Sequence, residues 1–128
     1  MGVSEADRVA AVQAYIDALV THDADAVPFA PGCVRIELGL KTGFSGNHLR
    51  RSLNRGLQYR VIAATTPPEY TVIGDEVRAV YDVLSKVALG GRRVATRVDE
   101  TFVVAEHDGL IHHIRASLRM FIHQQQPA

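Results

Sequence analysis

Glu100 interrupts an otherwise apolar strand face. Alternate residues from Val94 read Val94, Thr96, Val98, Glu100, Phe102 and Val104, while the other face reads Arg93, Ala95, Arg97, Asp99, Thr101 and Val103. Side chains alternate across a strand, so Glu100 shares the inward face with Val98 and Phe102. A carboxylate taken out of water is costly and tends to keep its proton instead. A neutral acid in an oily wall can donate a hydrogen bond or a proton, and such groups gather where ligands bind or react.

An acid in that position needs partners. A two-residue Gly90-Gly91 turn pairs Leu89 with Arg92, and counting back from it sets Tyr81 opposite Glu100 and Val83 opposite Val98. Tyr81, Val83, Ser85 and Val87 then share the face of Glu100, and the Tyr81 hydroxyl is a candidate hydrogen-bond partner. In the last hairpin, a three-residue loop with Gly109 in the left-handed region pairs Glu106 with Leu110 and sets Ala116 opposite Glu100. Ile114, Ala116, Leu118, Met120 and Ile122 then face the same interior; a two-residue loop would instead turn His113, Arg115, Ser117 and Arg119 inward, and the continuous apolar face favours the first. The pocket-lining candidates are therefore Tyr81, Val98, Phe102, Ile114, Ala116 and Leu118. On an earlier strand Arg35 and Glu37 alternate with Val34, Ile36 and Leu38. The apolar set reads as the buried face, which makes Arg35 and Glu37 a solvated pair. The alternative turns both inward as a polar pair, with Arg35 in the pocket wall. His112 and His113 are strand neighbours whose rings point to opposite faces, and no helical His-x-x-x-His spacing occurs, so no metal is expected. Nucleophile elbow, P-loop and dinucleotide motifs are missing, and no cofactor is expected.

The elements that must position these residues follow from periodicity. Ser4 caps a first helix, with Asp7 as its capping-box acid. Val9, Val12, Ile16, Leu19 and Val20 form its apolar face, with Tyr15 at the edge. A short second helix is expected over 23–27, stopped by Pro28 and Pro31-Gly32. A strand over 33–38, a loop over 39–46 and a helix over 47–55 follow. That helix turns Leu49 and Leu53 inward and Arg50, Arg51 and Arg55 outward. A weaker strand is expected over 59–64. Four strands then run over 69–73, 76–89, 92–105 and 110–123, separated by turn residues that tolerate positive φ. Helices followed by a meandering antiparallel sheet indicate an α+β fold, a strongly curled sheet covered by the N-terminal helices around an internal pocket. Residues 4–123 read as one domain and 124–128 as a flexible tail.

Bulk composition excludes several classes of function. The 128 residues carry 14 Lys and Arg against 14 Asp and Glu, a net charge of zero, which argues against nucleic-acid or anionic-membrane binding. No apolar run approaches membrane-spanning length and no leader is visible. The single cysteine, Cys33, fits a reducing cytoplasm. The outer sheet face, mixing Phe121 with His and Arg, suits a homodimer.

The run Val12-Gln13-Ala14-Tyr15-Ile16-Asp17-Ala18-Leu19, followed by Asp23-Ala24-Asp25-Ala26-Val27 and Phe29-Ala30, resembles the nuclear transport factor 2-like superfamily, in particular its SnoaL-like and ketosteroid isomerase branch. The resemblance spans nearly the whole chain and implies a cone-shaped, cystatin-like α+β roll. In the isomerases a tyrosine in the context V-Q-x-Y donates to an oxyanion, and Tyr15 stands there. A protonated acid after a G-R-[KR] turn and two residues before a phenylalanine is the second donor. With Gly91-Arg92-Arg93 and Phe102, that position is Glu100. The general base follows an F-A pair on the first strand, which points to Glu37. Both acids are glutamate here, where the family has aspartate. The limonene-epoxide-hydrolase branch matches less well, since Val80 and Ala116 occupy two of its charged positions and only Asp82 survives. The resemblance thus implies a pocket for a small hydrophobic ligand, with proton transfer beside a carbonyl by an isomerase or cyclase, or a non-catalytic binding or dimerisation role. The direction of Glu37 discriminates between them.

Overall fold

The structure, a computed structural model, describes residues 2–124. Helix α1 spans Glu5–Thr21, with the Ser4–Asp7 capping box formed in both directions. Strand β1 (Phe29–Glu37) and β2 (Leu40–Gly43) make a hairpin, and helix α2 (Gly46–Arg55) and the short α3 (Leu57–Arg60) follow. Strands β3 (Ile62–Thr65), β4 (Glu69–Ile73), β5 (Glu76–Leu89), β6 (Arg92–Val104) and β7 (Ile111–Gln124) complete the chain. All seven strands lie in one sheet of order β2-β1-β7-β6-β5-β3, with β4 also paired to β5. The fold is α+β, with the helices packed on a curved, unclosed sheet.

Four local expectations are corrected. The 23–27 segment is a turn, not a helix, held by the Ala24 N–H on Asn54 Oδ1 at 2.6 Å and by Arg50 Nη2 on the Val27 carbonyl at 3.0 Å. Arg50 is therefore spent on the fold, while Arg51 and Arg55 stay exposed. Strand β1 starts at Phe29 and passes through Pro31, because the β1–β7 ladder is interrupted between Phe29 and Val34 and no partner calls on an N–H at Pro31. The 39–46 segment contains β2, and residues 57–60 are helical. The sheet is mixed: β1 runs parallel to β7, while the other pairs are antiparallel. Gln124 belongs to β7 and pairs with Arg92; the rest of the expected tail, residues 125–128, lies outside the described residues.

The long hairpins follow the sequence more closely. Leu89 pairs with Arg92 across Gly90 and Gly91, both at positive φ (58° and 77°). The ladder then breaks between Leu84 and Ala88, where Ser85, Lys86 and Val87 stand against Val94 alone. Two extra residues slide the register, so Tyr81 pairs with Val98 and Ala79 with Glu100. The expected Tyr81–Glu100 pairing is thereby corrected, but an even slip preserves the face: Tyr81 and Glu100 still point the same way. In the last hairpin the expected Glu106–Leu110 pair is corrected: the Ala105 N–H donates to the Leu110 carbonyl at 3.1 Å and Val104 pairs with Ile111. A bulge between Val103 and Val104 restores the expected register, so Glu100 still pairs with Ala116; Gly109 has φ 68°.

The β1–β2 turn was invisible in the sequence because its first central residue is a leucine. Leu38 has φ 51° and Gly39 φ 78°, the pair of positive angles that a two-residue primed turn demands. An exposed leucine in that region is strained by roughly 1 kcal/mol. Leu38→Asn should therefore stabilise the chain by about 0.5–1 kcal/mol in urea unfolding; an unchanged or lower midpoint would contradict this account of the turn.

Candidate active site

Between α1, the β1–β2 hairpin, α3 and the concave sheet lies a cavity of about 380 Å³. Its lining includes polar groups, Tyr15, Arg35, Glu37, Thr42, Tyr59, Tyr81 and Glu100, and apolar ones, among them Leu19, Val61, Ile62, Val83, Val98 and Leu118. Beyond Leu118 the same concave face runs out into solvent, where Val87, Met120 and Ile122 are each at least 60% exposed.

Tyr15 is not at the edge of α1 but in its centre, 2% exposed. The helix turns Val12, Tyr15, Ile16 and Leu19 toward the sheet, and the Tyr15 ring meets Phe102 edge-on at 5.2 Å. Phe102, Ile114 and Ala116, expected in the pocket wall, are buried in the core instead and do not line the cavity. They share the face of Glu100, but α1 lies directly against that part of the sheet and leaves no space there. Val98, Leu118 and Tyr81 do line it.

Arg35 and Glu37 both turn inward, so the solvated-pair expectation is corrected. What settles their direction is α2, which packs over β1 on that side. A Cβ on Gly43 would meet Leu49 Cδ2 at 2.4 Å and Arg35 Cβ at 2.9 Å, so the leucine and the arginine stem are in one layer. Val34 and Ile36 are left half-buried on the outer face. Arg35 is 1% exposed, yet its guanidinium is well provided. Nη1 donates to the Tyr15 hydroxyl at 3.1 Å, Nε to Thr42 Oγ1 at 3.1 Å and Nη2 to the Thr42 carbonyl at 3.3 Å. Glu37 Oε1 lies 3.4 Å from Nε and accepts the Thr42 hydroxyl at 2.7 Å. The Tyr59 ring sits against the guanidinium, 5.7 Å from Cζ to its centroid. Sequence reading missed Thr42 and Tyr59. Thr42 could have been found only by recognising the Leu38-Gly39 turn, and Tyr59 lies on a helix too short to show a period.

Glu100 is 2% exposed and accepts a hydrogen bond from the Tyr81 hydroxyl. Burial pushes its carboxyl up to about 7; the Tyr81 bond and the Arg35 charge pull it down, and the Glu37 charge adds to the rise. Near neutral pH it thus exchanges between acid and carboxylate. Burial likewise holds the Tyr15 hydroxyl well above its ordinary range, against the pull of Arg35. Tyr15 therefore remains a neutral donor, and its oxygen already accepts from a cation. Arg35 stays charged at any accessible pH. No His or Cys lines the cavity, so it offers two carboxylates but no set of three metal ligands.

A family profile described as "Domain of unknown function (DUF8021)" matches residues 2–118. The chain belongs to that family. No curated protein matches it. Among solved structures, an LEH-like epoxide hydrolase of M. tuberculosis is similar at 20% identity and TM-score 0.69, over 89% of this chain and 84% of that one. The epoxide hydrolase/cyclase-like enzyme SalBIII, described with a role in pyran ring formation in polyether salinomycin, is similar at 16% identity and TM-score 0.69, over 91% and 93%. An NTF2-like protein of Burkholderia xenovorans is similar at 16% identity and TM-score 0.67, over 92% and 93%. The fold is that of the NTF2-like proteins.

Two predictions concern Glu100. Its folded pKa is raised from 4.5 to about 7, so the native state holds this proton more tightly than the unfolded chain. The stability it contributes is complete below pH 4.5 and is lost as pH rises through about 7. Over that span the loss from this one group is about 3 kcal/mol. Glu100→Gln cannot ionise and still accepts from Tyr81; its advantage over the parent in urea unfolding should be larger at pH 8 than at pH 5. Equal differences at both pH values would refute a raised pKa. Tyr81→Phe removes the bond that lowers this pKa, so a carboxyl carbon NMR titration of Glu100 should move to higher pH, and an unmoved curve would show that the bond is not made.

Proposed function

We propose that this cavity binds a small, largely apolar carbonyl compound and moves a proton beside its carbonyl, as an isomerase or cyclase. The observation that supports this most is the company Glu100 keeps: an acid that holds its proton up to about pH 7, a tyrosine donor and a second carboxylate line one cavity. In this reading Glu37, as carboxylate, takes the proton from the carbon next to the carbonyl. The electron pair of the broken C–H bond moves into the C–C bond, and the carbonyl oxygen becomes an enolate. Tyr15 and protonated Glu100 donate hydrogen bonds to that oxygen. Arg35 strengthens the Tyr15 donor by donating to its oxygen, and its Nε lies 3.4 Å from Glu37 Oε1. Glu37 then returns the proton to another carbon, giving an isomer, or the enolate carbon attacks a second carbonyl in the same molecule, whose π pair moves onto its oxygen as an alkoxide that takes the proton back from Glu37, giving a ring. The apolar part of the lining would hold the hydrocarbon body, and no cofactor enters the scheme.

The solved structures of similar fold described as epoxide hydrolase-like justify adding epoxides to the compounds tried. The outer sheet face, with Val34, Ile36 and Phe121 only half-buried, supports a homodimer, and light scattering after size exclusion should give twice the 14.0 kDa chain mass. Among the described residues no helix is long and apolar enough to cross a membrane.

The test is a thermal-shift screen of steroid, aromatic polyketide and terpenoid ketones, since a ligand of the native state raises its melting temperature. Each hit is then assayed for exchange of its α-protons with deuterated water. Glu37→Gln should abolish exchange, and Tyr15→Phe and Glu100→Gln should slow it by about 10²–10³-fold with binding largely kept. The parent rate should fall as pH rises through about 7, where Glu100 loses its proton. Binding without exchange would leave a carrier or receptor domain and remove the enzymatic reading. Unchanged turnover in all three variants would remove the site.

A further inference from the structure

The β6–β7 turn carries a cluster that the cavity chemistry does not use. Nε2 of His107 and Nε2 of His112 both face Oδ2 of Asp108, at 3.2 and 2.7 Å. The three ligand atoms lie within 4.8 Å of one another. The adjacent pair His112 and His113 indeed diverges, as neighbours on a strand must, but the turn brings His107 back beside His112 with ring centroids 5.5 Å apart. Asp108 is aimed by the backbone: its Oδ1 accepts the Leu110 N–H at 2.9 Å, which leaves Oδ2 directed at the two imidazoles. Glu106 is engaged by Arg8 at 2.5 Å and is not free to join.

One imidazole would satisfy Oδ2. Two imidazoles presenting the same nitrogen to the same oxygen make a three-donor set once each carries its proton on Nδ1. We propose that His107, Asp108 and His112 form a surface site for a divalent transition-metal ion of the zinc, cobalt or nickel kind. Two imidazole nitrogens and one carboxylate suit these ions; calcium and magnesium prefer all-oxygen sites. Bonds of about 2.0–2.2 Å to a tetrahedral ion separate its ligands by about 3.3 Å. The His107–Asp108 spacing already matches that, and the His112–Asp108 pair has only to open slightly. The remaining position faces water. An ion there clips the turn to the start of β7, so metal should add resistance to unfolding.

The test uses the full chain without a histidine tag, first treated with chelator. Titration calorimetry with zinc chloride should give one ion per chain, and cobalt should develop the visible absorption of a tetrahedral site. His107→Ala, His112→Ala and Asp108→Asn should each weaken zinc binding at least about tenfold. Asp108→Asn keeps the oxygen that accepts from Leu110, so its loss reports on the ligand rather than on the turn. His113→Ala should bind as the parent does. The melting temperature should rise with zinc in the parent and in His113→Ala only. Absence of saturable binding, or parent-like affinity in both His107→Ala and His112→Ala, would overturn the proposal.

Discussion

The buried guanidinium of Arg35 is the constraint around which the interior of this protein is arranged. A charge removed from water must be matched by partners on every side, or its burial costs several kcal/mol. Here the partners come from three elements: Tyr15 from α1, Thr42 from β2, and Glu37 from the end of β1 itself. Glu37 is a near neighbour in sequence, but Tyr15 and Thr42 are not local in the way a helix cap is local. The β1–β2 hairpin must close for Thr42 to reach the guanidinium, and α1 must seat in the sheet for Tyr15 to do so. The ion therefore couples the seating of the first helix to the closing of the first hairpin.

Glu100 depends on the same arrangement. Burial raises its carboxyl to about 7, and the Tyr81 bond and the charge of Arg35 keep it from rising further. With Arg35 positive and Glu37 its nearest counter-ion, the cavity is close to neutral when Glu100 is protonated and gains a negative charge when it ionises. A lining that mixes polar and apolar side chains favours an amphipathic guest, with its polar group against Tyr15, Arg35 and Glu100. The concave face beyond Leu118 gives that guest an open entrance, because β5, β6 and β7 outrun the helices that cover them.

Much of the sheet was legible from alternation and turns. The bounds of β4 and β5 coincide with those read from the sequence; β6 differs by one residue at its end and β7 by one residue at each end. The inward position of Glu100 followed from alternation alone. What failed did so for definable reasons. Strand β1 carries a proline at a gap in its ladder, which composition reads as a stop. Strand β2 was hidden behind a turn whose left-handed residue is a leucine. The two-residue slip in β5 comes from a bulge with no glycine or proline to announce it. Phe102 and Ile114 share a face with pocket residues, yet depth along that face depends on where α1 lies.

The sequence by itself determined which side chains share a face along each long strand, because the alternation is built into the backbone, and an even slip of register leaves it intact. Only the tertiary structure decided which face of β1 is inside. Alternation made Val34 and Ile36 the natural core, and local physics favoured that choice. The packing of α2 over the other side, together with donors and acceptors arriving from α1 and β2, made burial of Arg35 affordable and turned Glu37 toward the same cavity. A charged side chain can be buried only where distant groups converge to meet it, and that convergence is a property of the assembled fold.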